Sequence, residues 1–166
     1  MEFIKKNLLA IIVAGAGVLA LILGLALEPV AELGEDVKFF DLVFGFNQSQ
    51  EIPGYGTLTM TGGISLTALV SFVALIAGIA LTIVSIFKNE KLAFIGAICI
   101  AVAGVLMLLA LTVGTEVTQS IGAQKMTFKF ADLYEGYDLG IGSIIYGVLA
   151  ILGGGFGIFN KFKKVI

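Results

Sequence analysis

Histidine, tryptophan and arginine do not occur in this chain, cysteine occurs once and proline twice. Each absence removes a class of chemistry. With no histidine and with Cys99 alone, one chain assembles neither a disulfide, nor a Cys/His zinc site, nor a histidine-activated nucleophile. No Walker or dinucleotide-binding pattern accompanies the 22 glycines. The outer acids Glu35, Asp36, Asp41, Glu51, Asp132, Glu135 and Asp138 do not follow the spacing of a calcium loop, so solvation and capping account for them. Catalysis, cofactor, metal and nucleic-acid partner are therefore not expected.

Charge is scarce and apolar residues abound. Charged residues make up 13% of the chain and apolar ones 58%, with a mean hydropathy of +1.07, a balance suited to a chain dissolved largely in lipid. Four runs carry no acid or base: Leu8 to Leu27, Gly62 to Phe87, Leu92 to Gly114 and Leu139 to Phe159. A helix rising 1.5 Å per residue needs about 20 residues to cross the hydrocarbon, so four transmembrane helices are predicted. The first run exceeds a signal-peptide core in length and is read as a retained helix.

Lysine placement predicts orientation. Lys5, Lys6, Lys88, Lys91, Lys161, Lys163 and Lys164 flank the runs on one side with only Glu2 and Glu90, whereas Lys38, Lys125 and Lys129 share the other side with every remaining acid. By the positive-inside rule both termini and the Lys88–Lys91 turn are cytoplasmic at the plasma membrane. The outer loops, about 28–61 and 115–138, are extracellular.

Those loops share a motif. Lys38-Phe39-Phe40-Asp41-Leu42-Val43-Phe44-Gly45-Phe46 returns as Lys129-Phe130-Ala131-Asp132-Leu133-Tyr134-Glu135-Gly136-Tyr137, keeping Lys-Phe-x-Asp-Leu-x-x-Gly-aromatic. The chain thus reads as a single integral membrane domain, 1–166, made from one hairpin used twice, about 1–88 and about 89–166. Alternation in Met126–Phe130 and Thr57–Thr61 predicts short strands, the latter paired with the segment around Val37–Phe40, in a three-stranded cap. Asp41 and Asp132 stand where an N-cap would, and Gly45 and Gly136 where a chain leaving a helical turn needs positive φ. Phe39, Phe40, Phe44, Phe46, Phe128, Phe130, Tyr134 and Tyr137 either fill this cap or expose a contact patch.

Small residues line each predicted helix at three- and four-residue spacing. The stripes are Ala10, Ala14, Gly17, Ala20 and Gly24; Thr67, Ser71, Ala74, Gly78, Thr82 and Ser85; Ala97, Ala101 and Gly104; and Ser143, Gly147, Ala150, Gly154 and Gly157. Such faces let helix backbones approach closely in lipid, and the mixed spacing favours a left-handed bundle. The surplus glycines Gly153 and Gly155 are the leading candidates for a contact between copies.

Four helices with both termini inside, a longer first outer loop and strand-like segments in both loops resemble the claudin and peripheral-myelin layout. That family's Trp-Gly-Leu-Trp motif and loop cysteine pair do not occur here, so the resemblance implies layout without the loop disulfide. Phe40-Asp41-Leu42-Val43-Phe44-Gly45 is similar to a Phe-Asp-Leu-x-Phe-Gly stretch in small four-helix membrane proteins of low-GC bacteria, a resemblance that implies no activity. The expected fold is all-α membrane: a left-handed four-helix bundle with a small extracellular β-sheet cap. The expected role is structural, a homo-oligomer or ordered assembly in membrane lipid with no chemistry of its own. A small oligomeric channel or transporter, using hydroxyls of the second helix, and an accessory subunit bound to a larger membrane complex are the alternatives.

Overall fold

The computed structural model describes residues 2–29, 38–54, 56–110, 113, 116–121, 124–129 and 139–163. Four long helices dominate it: α1 (Glu2–Ala26), α3 (Leu66–Phe87), α4 (Glu90–Leu108) and α5 (Ile141–Lys163). Each contains a span long and apolar enough to cross a membrane, Asn7–Ala26, Leu66–Phe87, Lys91–Leu108 and Ile141–Asn160. Ser65 caps α3 by accepting from Ala68 N at 3.3 Å, and Asn89 caps α4 by accepting from Lys91 N at 2.9 Å. Around the bundle the neighbours run α1, α3, α4, α5 and back to α1.

Polarity in this bundle is a matter of size. Ala10, Ala14, Ala20, Ala97, Ala103 and Ala150 are buried, while Leu19, Ile22, Val73, Val105, Leu152 and Phe159 are exposed. In water such an apolar exterior would drive aggregation; in a membrane it faces its ordinary solvent.

A short helix, α2 (Phe39–Phe44), and four strands, β1 (Phe46–Ile52), β2 (Gly56–Gly62), β3 (Glu116–Ile121) and β4 (Gln124–Lys129), make up the rest. The sheet is antiparallel in the order β1-β2-β3-β4. Strand β2 pairs with β1 from Phe46↔Gly62 to Ile52↔Gly56, and with β3 from Leu58↔Ile121 to Gly62↔Val117. The expected partner of Thr57–Thr61 is thereby corrected. Residues 39–44 are helical, because Phe39, Leu42 and Val43 bury one face at helical spacing, and the sheet has four strands instead of three. The motif's two copies also sit differently: Lys38 precedes α2 and the first β-hairpin, whereas Lys129 closes β4, after the second.

Asp41 is not the N-cap either. It stands three residues into the turn that opens at Lys38, where its Oδ2 accepts from Lys38 N at 2.8 Å, the backward half of a capping box. Gly45 does end α2, with φ 94° and ψ 157°, a conformation open essentially to glycine alone. A Cβ on Gly45 would also lie 2.6 Å from the carbonyl oxygen of Gly62. Gly45→Ala is therefore expected to destabilise the cap by about 2–3 kcal/mol, seen as faster amide exchange in β1 and β2. Gly54→Ala is the comparison, since Gly54 has a similar φ of 86° with nothing within 4 Å; it should cost clearly less.

The helix ends nearest the sheet are stitched together. The carbonyls that end α1 accept from the first turn of α5: Glu28 O from Gly142 N at 2.9 Å, and Pro29 O from Gly140 N at 3.0 Å and Ser143 Oγ at 2.8 Å. Orphan acceptors of one helix thus satisfy orphan donors of the next. Across the bundle, Thr67 Oγ1 donates to Val113 O at 2.6 Å.

Candidate functional site

Part of the first loop between long helices forms an aromatic plug in the sheet end of the bundle. Phe39, Leu42 and Val43 are at most 1% exposed. Their positions follow from α2 itself, where three- and four-residue spacing puts them on one face. The Phe39 ring stacks on Tyr146 of α5 at 5.8 Å and 27°, and tilts against Phe72 of α3 at 5.7 Å and 55°. Tyr146 lies flat on Gly24 of α1, where a Cβ would be 2.7 Å from its Cδ2.

Beneath the plug a buried hydroxyl pair ties three helices. Tyr146 donates to the carbonyl oxygen of Ser71 at 3.2 Å, and Ser71 Oγ donates to Ala103 O on α4 at 2.7 Å. Thr82 Oγ1 donates to Gly78 O at 2.7 Å and Ser85 Oγ to Thr82 O at 2.6 Å. Among the described residues, no buried side-chain polar atom lacks a partner. A hydroxyl that already bonds a helix carbonyl stabilises the low-dielectric interior and leaves no group aimed at a ligand. Among the described residues, no group of three or more acids and cysteines lies close enough to hold a metal ion.

The striped glycines mark the closest helix contacts. A Cβ on Gly78 would stand 2.8 Å from Gly96 O, and one on Gly96 would stand 2.7 Å from Gly78 O, so α3 and α4 touch backbone to backbone. On the other side of α4, Gly104 meets Gly147 O at 2.6 Å by the same measure, and Gly154 meets Ala97 O and Ala101 N, both at 2.5 Å. Gly17 faces Ile79 and Ile100, Gly157 faces Ala97 and Val13, and Gly147 faces Leu108. Ala10 and Ala14 are buried on α1. The surplus pair divides: Gly153 is buried against Ala16 of α1, whereas Gly155 has nothing within 4 Å and is the one turned outward.

Sequence reasoning missed Tyr146, Phe72 and Gly96. Among the described residues Tyr146 carries the largest fully buried side chain, yet a tyrosine near a predicted helix end reads as an interfacial anchor. Its spacing could have found it: Ser143, Tyr146, Gly147 and Ala150 keep the three- and four-residue rhythm of their stripe. Of the remaining cap residues, Phe46 is half-buried across from Gly62, where an added Cβ would run into its ring. Phe40 and Phe44 are exposed, and Phe128 pairs with Val117 in the sheet. Phe130, Asp132, Tyr134, Gly136 and Tyr137 lie outside the described residues.

Compared with protein-family models, with curated proteins and with solved structures, the chain matches none.

Proposed function

We propose that this chain is a non-catalytic structural protein of the plasma membrane that associates laterally with copies of itself through its outer cap. Its four helices form a left-handed bundle, with both termini and the Lys88–Lys91 turn cytoplasmic and the sheet extracellular. The sheet order carries the proposal, because among the described strands β1 and β4 are the edges. Such edges are templates for pairing with another chain. Their charges are complementary near one end of the sheet: exposed Glu51 lies on β1 and exposed Lys125 on β4 at the level of Ser49, while exposed Lys129 stands across from Glu116. A β1-to-β4 contact is head to tail, so it propagates unless the rotation closes a ring.

The helix faces support the same function from the other side. Their small residues are occupied within the bundle, and the hydroxyls of Ser71 and Thr82 bond helix carbonyls while that of Thr67 bonds the carbonyl of Val113 beyond α4, which favours a closed bundle over a water-lined path. Mass photometry of the protein in nanodiscs tests the proposal. Oligomers are expected from the native chain, monomers from Lys125→Glu/Lys129→Glu, and recovery when Glu51→Lys is added. A native chain that is monomeric throughout would overturn self-association and favour an accessory subunit.

A further inference from the structure

Beside the plug, α2 presents a second apolar face that the bundle does not cover. Phe40 is 48% and Phe44 56% exposed; their rings stack on one another at 6.2 Å and 18°. Phe40 also sets its edge against Phe72 at 5.9 Å and 81°. With 100° per residue, α2 has three sides: Phe39, Leu42 and Val43 inward, Phe40 and Phe44 along the flank, and Asp41 beyond them with its carboxylate on Lys38 N.

The depth of this flank is readable from the helices it touches. Phe72 follows the first residue of α3 by six positions, or about 9 Å along the axis. Tyr146, against which Phe39 stacks, follows the first residue of α5 by five positions, about 8 Å. Both helices have spans that begin at their first residues, Leu66 and Ile141. The rings against which α2 packs therefore belong to the second turn of both candidate spans, near the 5–10 Å by which interfacial helices bury their apolar faces. At the same level the outer half of α3 exposes Leu66, Val70 and Val73, at 65%, 53% and 57%. The Phe40–Phe44 flank continues that apolar surface.

We propose that α2 is an interfacial anchor whose Phe40 and Phe44 rings insert among the lipids of the outer leaflet. The occupant of this flank is lipid, not another copy of the chain, which leaves the sheet edges as the surface for assembly. A Phe pair at the level of the outer headgroup and acyl boundary resists vertical displacement, because raising it exposes rings to water and sinking it draws Asp41 toward hydrocarbon. The same contacts hold Phe39 in place beneath. This placement rests on the membrane-spanning reading but not on self-association.

The absence of tryptophan from the chain makes the test direct. Phe44→Trp and, separately, Phe40→Trp each introduce the sole tryptophan at an exposed position, and Leu152→Trp introduces one at an exposed site midway along α5. Each variant is reconstituted at high dilution in phosphatidylcholine bilayers whose acyl chains are brominated either near the headgroup or near the chain end. Both α2 variants are expected to lose emission most with bromine near the headgroup, and Leu152→Trp with bromine near the chain end. Loss of emission from Leu152→Trp alone, with the α2 variants quenched by aqueous iodide instead, would overturn the anchor and leave the spanning reading intact. No quenching by lipid in any variant would overturn both. Blue-shifted α2 emission that resists both quenchers and changes on further dilution of protein would assign the flank to a second copy and overturn the anchor.

Discussion

Phe39→Ala is expected to cost about 3–5 kcal/mol, among the largest losses from any single truncation in this protein. The ring is 1% exposed and touches three other rings, those of Phe40, Phe72 and Tyr146, so its removal leaves a cavity between α2, α3 and α5. The measurement is thermal unfolding in mild detergent followed by circular dichroism, with Phe40→Ala beside it. The Phe40 ring is half-exposed and should cost much less. Tyr146→Phe separates packing from hydrogen bonding at the same site: it removes the bond to Ser71 O at 3.2 Å but keeps the stack, for a loss of about 1 kcal/mol. Equal losses from Phe39→Ala and Phe40→Ala would mean that Phe39 does not plug the bundle.

Gly154→Leu is the second large effect, and it acts by excess volume. A Cβ at Gly154 would lie 2.5 Å from both Ala101 N and Ala97 O, atoms of a helix backbone that cannot rotate aside. Helices α4 and α5 must separate, with a cost of about 3 kcal/mol or more. Loss of the monodisperse peak in size-exclusion chromatography and a lowered midpoint in thermal unfolding are the readouts. Gly155→Leu is the matched comparison, one residue along on the same helix with nothing within 4 Å. Its monomer should be as stable as the native one. Should Gly155→Leu lower assembly in nanodiscs without lowering stability, the outward glycine would join the sheet edges as a contact between copies.

These two effects show different degrees of legibility. Gly154 was visible in the sequence, because a three- and four-residue stripe of small residues in an apolar run has a direct physical meaning in lipid. Its partner helix was not, since stripes of similar composition lie on all four long helices and pairing depends on how the helices are arranged around the bundle. For Phe39 the reverse error arose. The segment around Val37–Phe40 is expected as the strand partner of Thr57–Thr61, but six residues are too few for periodicity to separate strand from helical turn. Burial of Phe39, Leu42 and Val43 against three helices decided the matter, because tertiary contacts override weak local preference in so short a segment.

The four long apolar helices and the glycine that closes α2 were determined by sequence alone. Spans are set by run length against bilayer thickness, and Gly45 by a backbone conformation that side chains exclude; both are local constraints. Tertiary structure alone decided that β2 would join β3, that Tyr146 would reach Ser71 and stack beneath Phe39, and that Phe40 and Phe44 would be left on the flank. Each of these joins residues distant in the chain, and an apolar side chain carries no mark of whether helix, sheet or lipid will cover it.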